Sequence, residues 1–296
     1  MNTFKWLVRR EFWENRAIWI APAAVGALQT LAILFGTVNI SGITDNNALA
    51  TPDQGTVIGG LALFIFGVVF FAVAYVYAFW YLLDCLYADR KDRSILFWKS
   101  LPITDAQTVL AKLFIGLIAI PLVYFVAADV TTLLMAVIVS LRFRSFIGAA
   151  LWHPDQWLQM QVLWLYLIVT MGIWYLPLAG WFMVVSAWAR RAVILWSILP
   201  PVAILILERW FVGTHVVARL LVDWSSGYAA HTFIEPPANG WATAIIGGHA
   251  ITRPESIWGM VTPAYFLSSP ATWICIFVGS ALVFAAIQLR LRRAEV

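Results

Sequence analysis

The chain has 296 residues, of which 62% are hydrophobic and 11% charged, and its formal net charge at pH 7 is +4. Soluble domains carry roughly 25% charged residues, so this composition excludes a soluble globular protein and indicates a polytopic membrane protein. The seventeen tryptophans agree, because tryptophan collects at membrane–water interfaces. We assign the positive charge to cytoplasmic Lys and Arg, so no nucleic acid is expected as a partner.

The N-terminal residues 1–16 place Phe4, Val8 and Phe12 one helical turn apart, with Arg9 beside them. This spacing predicts an amphipathic helix that lies in the membrane interface. The alternative is an ordinary basic flank that anchors the first span. Both interpretations place this end of the chain in the cytoplasm.

Six apolar stretches predict membrane-spanning helices, so the expected fold class is an all-α polytopic membrane protein. They cover residues 17–38, 57–83, 113–139, 162–188, 192–207 and 271–289. The third exceeds the ~20 residues that a bilayer requires, so we expect it to tilt, to kink at Pro121 or to project beyond the membrane. Pro177 interrupts the fourth. Pro200 and Pro201 break backbone hydrogen bonding in the fifth, so neighbouring helices must cover the gap.

A charged island, residues 84–112, separates the second and third spans. Its middle, from Ser94 to Leu101, is amphipathic and rich in large apolar side chains, which a solvated linker would not need. Thr104 and Gln107 form a capping-box pattern, which predicts a helix start near Thr104.

The longest segment between spans covers residues 208–269 and contains many apolar residues. We therefore expect it to pack on the outer membrane face or to dip into it. Ser269 followed by Pro270 is typical of a helix N-terminus and predicts the start of the sixth span.

The distribution of Lys and Arg predicts the orientation. Fourteen of the nineteen fall on the side that holds both termini and the island, and five fall on the other. The five are Arg142, Arg144, Arg209, Arg219 and Arg253. We therefore expect a single transmembrane domain, residues 1–296, in the inner (plasma) membrane. Both termini and residues 84–112 would be cytoplasmic, and residues 208–269 would be external.

With this topology, the island resembles the cytoplasmic loop between the second and third spans of ABC-2 type transporter permeases. The features of that loop fall here on the charged run Asp89–Arg93, the amphipathic stretch Ser94–Lys99, the pair Leu101-Pro102, the hydroxyl residue Thr104 and the lysine Lys112. The span count, the N-terminal helix and the large external segment extend the resemblance over the whole chain. Where the family often has a glycine–threonine or similar small pair, this chain has Arg93-Ser94.

The resemblance implies a permease subunit of an ATP-driven exporter, with a coupling helix that docks a separate ATP-binding subunit. It also implies a second permease protomer, identical or related, and places ATP and Mg in the partner subunit. The implied docking residues are Arg90, Arg93, Ile95, Leu96, Phe97, Trp98, Lys99 and Leu101. Their apolar members would fill a groove of the ATPase with the basic ones at its rim. The alternative is that the same helix floats at the lipid surface.

No ATP-binding loop is encoded in this chain, because none of its four lysines follows a glycine as G-x-x-x-x-G-K-[ST] requires. Asp129, midway along the third span, is a candidate for the translocation path; the alternative is a structural hydrogen bond to a neighbouring span. An intramembrane enzyme would need a second catalytic group at that depth, and none is apparent, so no catalytic residue is assigned. The four histidines lack metal-ligand spacing, so no metal site is expected. A membrane sensor or assembly partner that does not transport is the alternative function.

Overall fold

The structure, a computed structural model, describes residues 3–36, 52–92, 103–143, 152–234, 241–246, 249–254, 256 and 258–292. Six helices in this part of the chain are long and apolar enough to cross a membrane, as the sequence predicts. They are Ala17–Phe35, Gly59–Lys91, Asp105–Leu141, Pro154–Trp174, Val193–Val212 and Pro270–Arg292.

The elements follow one another in a simple order, with helices before and after a single described hairpin. The helices are α1 (Thr3–Glu14), α2 (Ala17–Phe35), α3 (Pro52–Lys91), α4 (Asp105–Phe114), α5 (Ile120–Phe143), α6 (Pro154–Trp174), α7 (Leu176–Trp188), α8 (Val193–Leu207), α9 (Val216–Ser226), α10 (Tyr228–Thr232), α11 (Pro263–Ser268) and α12 (Pro270–Arg292). The strands are β1 (Trp241–Ile246) and β2 (His249–Pro254). π-Helical turns at Ile115–Ala119 and Glu208–Val212 join α4 to α5 and extend α8.

The third span begins at the predicted capping box. The Thr104 hydroxyl accepts the backbone N–H of Gln107, and the Gln107 side chain accepts that of Thr104, which confirms this prediction. The π-helical turn comes directly before Pro121, which has no N–H to donate. The long helix therefore changes its winding at the proline that the sequence singles out.

The predicted fourth span, residues 162–188, is divided at Tyr175 between α6 and α7, and α6 alone, Pro154–Trp174, is the fourth candidate span of the structure. Pro177 cannot donate to the carbonyl of Ile173, four residues earlier, and Tyr175 adopts φ −92° and ψ 9°. Backbone bonds from Tyr175 to Met171 and from Ala179 to Tyr175 continue across this point. The predicted interruption is therefore a local break between two consecutive helices.

The gap that Pro201 leaves in α8 is covered by a side chain of α7. Pro201 cannot donate to the carbonyl of Ser197, and the indole Nε1 of Trp181 donates to it instead at 3.0 Å. The neighbouring helix α7 thus supplies the hydrogen bond that the sequence analysis expected for this carbonyl. A polar group that would be orphaned in hydrocarbon is satisfied from the next helix.

The segment between α8 and α12 contains structure that the sequence analysis did not predict. Strands β1 and β2 pair antiparallel, with Trp241 opposite Pro254 and Ile246 opposite His249. Two glycines, Gly247-Gly248, separate the strands in sequence, and such a pair is a recognised hairpin signal.

The short helices α9 and α10 run antiparallel to the second half of α6. Three hydrogen bonds step along this contact: Tyr166 Oη to the carbonyl of Thr232 at 2.9 Å, Thr170 Oγ1 with Tyr228 Oη at 2.7 Å, and Trp174 Nε1 to the carbonyl of Trp224 at 3.1 Å. Each step moves one helical turn along α6, so this part of the segment lies at the depth of that span.

Helices α7 and α12 approach each other closely at two glycines. A Cβ on Gly180 would lie 3.0 Å from the carbonyl oxygen of Gly279, and one on Gly279 would lie 2.8 Å from the carbonyl carbon of Leu176.

By contrast, α2 and α8 bury only 17% and 11% of their most apolar windows. Their exposed apolar faces are suited to lipid or to another subunit.

Candidate functional site: a buried ion-pair cluster

Four helices meet at one end of the bundle through ionisable side chains that are buried or half-buried. We call these side chains the ion-pair cluster: Arg10 and Glu11 of α1, Asp89 of α3, Asp105 and Lys112 of α4, and Arg290 of α12. Three are acidic and three are basic, so the cluster is neutral when all six are ionised. Charged side chains are rarely buried unless they are paired, and here each has an opposite charge within 4 Å.

Helical spacing places each charge on the buried face of its helix. Glu11 follows the buried Leu7 by four residues, and Asp89 follows the buried Cys85 by four. Asp105 and Lys112 are seven residues apart, which also puts them on one face. In α12 the buried face contains Gly279, Val283, Ala286 and Arg290.

Lys112 joins α4 to both α1 and α3. Its Nζ lies 2.8 Å from Oε1 of Glu11 and 3.3 Å from Oδ1 of Asp89, and the side chain is 4% exposed. Glu11 is held a second time, because the Tyr81 hydroxyl donates to its Oε2 at 2.7 Å. The position of α1 is therefore fixed by a charged side chain of α4 and a hydroxyl group of α3.

Arg290 binds two aspartates of the charged island, Asp89 near its beginning and Asp105 after its apolar middle. Its Nη1 lies 3.0 Å from Oδ2 of Asp89, and its Nε donates to Oδ1 of Asp105 at 2.8 Å. Asp89 lies near the end of α3, and Asp105 is the first residue of α4. One guanidinium of the last helix thus holds both ends of the loop between the second and third spans.

Arg10 closes the cluster on the side of α1. Its Nη2 lies 3.9 Å from Oδ1 of Asp89, and its Nε donates to Glu14 at 2.7 Å. Burial alone would lower the pKa of Arg10, but the carboxylates of Glu14 and Glu11 outweigh burial, and the pKa is raised above its ordinary value. The guanidinium therefore stays charged throughout the physiological range.

Arg90, a predicted docking residue, lies against α7. Its Nη2 donates to the carbonyls of Ser186 at 2.5 Å and Ala189 at 2.8 Å, at the C-terminal end of that helix. The Ser186 hydroxyl in turn accepts the backbone N–H groups of Leu86 and Tyr87 at 3.1 Å. A cation at a helix C-terminus satisfies open carbonyls and complements the helix dipole.

Seven of the eight predicted docking residues lie outside the described residues. They are Arg93, Ile95, Leu96, Phe97, Trp98, Lys99 and Leu101. The docking role of this stretch stays a prediction. The structure describes the residues on either side of it, Asp92 and Ile103.

Asp129 forms a hydrogen bond to the neighbouring span. Its Oδ1 accepts from Nε2 of Gln161 at 2.7 Å, and the Asp129 side chain is half-buried. This bond is the structural alternative that the sequence analysis considered. A role in translocation stays a prediction.

The sequence analysis did not find the ion-pair cluster as a site. Its bonds join residues that are far apart in the chain: 70 residues for Tyr81 with Glu11, 185 for Arg290 with Asp105 and 201 for Arg290 with Asp89. One signal was present, because a carboxylate on the same helical face as buried apolar residues, such as Glu11 after Leu7, calls for a partner. That signal does not identify which residue of the chain is the partner.

No protein family, curated protein or solved structure matched the chain in our comparisons. The function is therefore argued from the residues of this chain.

Proposed function

We propose that the chain is the membrane-spanning permease subunit of an ATP-driven ABC-2 type transporter, most simply an exporter. It would work with a separate ATP-binding subunit in the inner (plasma) membrane, with both termini in the cytoplasm. The observation that carries the proposal is the double contact of Arg290 with Asp89 and Asp105, which fixes both ends of the loop that would dock the ATPase.

The ion-pair cluster suits the transmission of movement from this loop. If an ATPase displaced the loop, the ends of α3 and α4 would move with it. Arg290 would pass that displacement to α12, and Lys112 would pass it to α1 through Glu11. A buried pair resists separation because each charge left alone in a dry site is costly.

The apolar side chains of the loop suit a soluble partner. Ile95, Leu96, Phe97 and Trp98 would contribute a buried apolar anchor, and Lys99 a polar rim. The sequence offers no phosphate-binding loop of its own, so the energy would come from the ATP and Mg bound by that partner.

The exposed apolar faces of α2 and α8 favour a second permease protomer, either identical or related. Six spans are half of a usual ABC transmembrane unit, as the resemblance implies. The complete transporter would then contain two permeases and two ATPases.

Co-purification with the ATP-binding protein encoded nearest to this chain tests the proposal. The double variant Phe97→Asp/Trp98→Asp should lose the ATPase and its ATP-driven transport while still inserting in the membrane. The matched control is Trp152→Asp/Trp258→Asp, which changes two exposed aromatic side chains outside the candidate spans. It should retain the ATPase.

Each alternative gives a different result. Retention of the ATPase by the Phe97/Trp98 variant would contradict the docking role. An ATPase that binds without ATP-driven transport in vesicles would favour the sensor or assembly partner. Complete absence of an ATPase partner would contradict the permease assignment.

A further inference from the structure

A cavity of about 540 Å³ lies at the turn between α7 and α8. It is lined by Trp188, Ala189, Arg190, Arg191 and Trp196. Small-molecule sites commonly fall between roughly 300 and 1,000 Å³, so the cavity can hold a headgroup-sized ligand. Its chemistry, two cations between two indoles, is independent of the ion-pair cluster.

The two arginines of this cavity are available to a ligand. Both are exposed, and neither forms an ion pair or hydrogen bond with any part of the chain that the structure describes. Among the residues that the structure describes, no carboxylate lines the cavity. The site is therefore positive and suited to an anion, and a guanidinium binds phosphate through paired N–H donors.

The turn that carries these arginines is held in place from both sides. Arg90 donates to the carbonyls of Ser186 and Ala189 just before it, and Ala192 just after it adopts a left-handed conformation with φ 51°. Such a backbone conformation is unfavourable for alanine and persists only where the surroundings fix it. The arginines are thus presented at a fixed place.

The position of the cavity indicates a lipid. It lies where α8, a candidate membrane span, begins, and tryptophan pairs of this kind are typical of the headgroup level. The rings of Trp188 and Trp196 meet edge to face with centroids 4.8 Å apart. Just beyond the cavity along α8, the exposed side chains of Leu195, Ile198 and Leu199 can contact acyl chains.

We propose that Arg190 and Arg191, between Trp188 and Trp196, form a binding site for the phosphate headgroup of an anionic phospholipid. The arginines bind the phosphate, the indoles pack against the glycerol region, and the acyl chains follow α8. Basic pockets between transmembrane helices bind anionic lipid headgroups in this way. The site does not depend on the proposed transport function.

Native mass spectrometry of the purified full chain tests this site, with phosphatidylglycerol and phosphatidylcholine of identical acyl chains as probes. Each arginine that contacts the bound headgroup should contribute about 1 kcal/mol to anionic lipid binding, so Arg190→Gln/Arg191→Gln should weaken phosphatidylglycerol binding roughly thirtyfold. The control Arg16→Gln/Arg292→Gln removes the same charge from exposed positions outside the cavity and should bind within about twofold of the original chain, because the loss is local.

Three results would overturn the site: undiminished binding by the Arg190/Arg191 variant, equal loss in the control, or equal affinity of the original chain for both lipids. Inorganic phosphate is the second probe. If it displaces phosphatidylglycerol at equal concentration, the ligand is free phosphate and the lipid assignment fails. If the double variant does not purify as a folded protein, the single variants carry the test, each with a roughly fivefold loss.

Discussion

Two regions of the bundle are held together by different interactions. At the end where α1, α3, α4 and α12 meet, six ionisable side chains form the ion-pair cluster. Along the second half of α6, a region that we call the neutral end, neutral hydroxyl, indole and aromatic groups join α6 to α9 and α10. Thr170 with Tyr228 is such a neutral contact, and burial raises the pKa of Tyr228, so its phenol stays protonated.

The difference matters for how each end can move. A neutral hydrogen bond contributes about 0.5–1.5 kcal/mol, so single contacts along α6 can break and reform at small cost. Removing one partner from a buried ion pair costs about 3–5 kcal/mol, because the other charge is left uncompensated. The charged end should therefore move as a unit, and the neutral end can open stepwise.

The largest effect is expected from Asp89→Leu, because Asp89 contacts Lys112, Arg290 and Arg10. Its removal leaves three cations without their shared partner, and the free energy of unfolding should fall by about 3–5 kcal/mol. The matched control is Asp92→Leu, less than one turn further along and exposed, which should change it by less than about 0.5 kcal/mol. Equilibrium unfolding in one detergent compares them, and equal losses would contradict the asymmetry.

Tyr81→Phe is expected to have the next largest effect. It removes the hydroxyl that donates to the Glu11 carboxylate at 2.7 Å, and hydrogen bonds to charged groups contribute about 1.5–3 kcal/mol. The same unfolding measurement in a Glu11→Gln background should show a smaller loss. An unchanged loss would show that the hydroxyl acts independently of the charge.

Trp181→Phe tests a neutral hydrogen bond between α7 and α8, because neither the Trp181 indole nor the Ser197 carbonyl is charged. Loss of the indole donor should cost about 1–3 kcal/mol, since this carbonyl then has no donor. Pro201→Ala restores a backbone N–H four residues after Ser197, so in that background Trp181→Phe should cost less. If the proline replacement gives no rescue, the indole acts only through packing.

Tyr228→Phe tests the neutral end directly. It removes the hydroxyl that lies 2.7 Å from Thr170 Oγ1, and the expected loss is about 0.5–1.5 kcal/mol by thermal unfolding. The same Tyr-to-Phe change at position 81 is the matched comparison. The contrast between the two ends fails if Tyr228→Phe is the more damaging of the two.

Asp129→Asn should have the smallest effect on stability, because asparagine keeps an oxygen that can accept from Gln161. If Asp129 lies on the translocation path, ATP-driven transport should change while expression and stability stay within about 0.5 kcal/mol of the original chain. Unchanged transport would leave Asp129 as a structural hydrogen-bond acceptor.

Local patterns in the sequence predicted the features that depend on neighbouring residues. The apolar windows gave the six candidate spans, and Thr104 with Gln107 gave the start of α4. Pro177 and Pro201 marked places where a helix carbonyl lacks its usual N–H donor, because the missing N–H is a property of the proline itself. The Gly247-Gly248 pair between β1 and β2 was an available signal that the analysis did not use.

Features that depend on distant residues were not predicted. The partners of Glu11, Asp89 and Arg290 come from other helices, and only the packed bundle brings them together. The family resemblance implied that Arg90 lies at the rim of the groove of a docked ATPase. The partners of Arg90 are backbone carbonyls of α7. Because every residue has a carbonyl, the sequence gives no signal for these partners.

The central claim is that the end of the bundle carrying the ion-pair cluster faces the cytoplasm. Cysteine labelling with a membrane-impermeant maleimide tests it most directly, because the native Cys85 and Cys275 are buried. We expect Ser94→Cys to react in inverted vesicles and not in intact cells, while Ser256→Cys, in the predicted external segment, reacts in intact cells. Reaction of Ser94→Cys from the outside of intact cells would contradict the account.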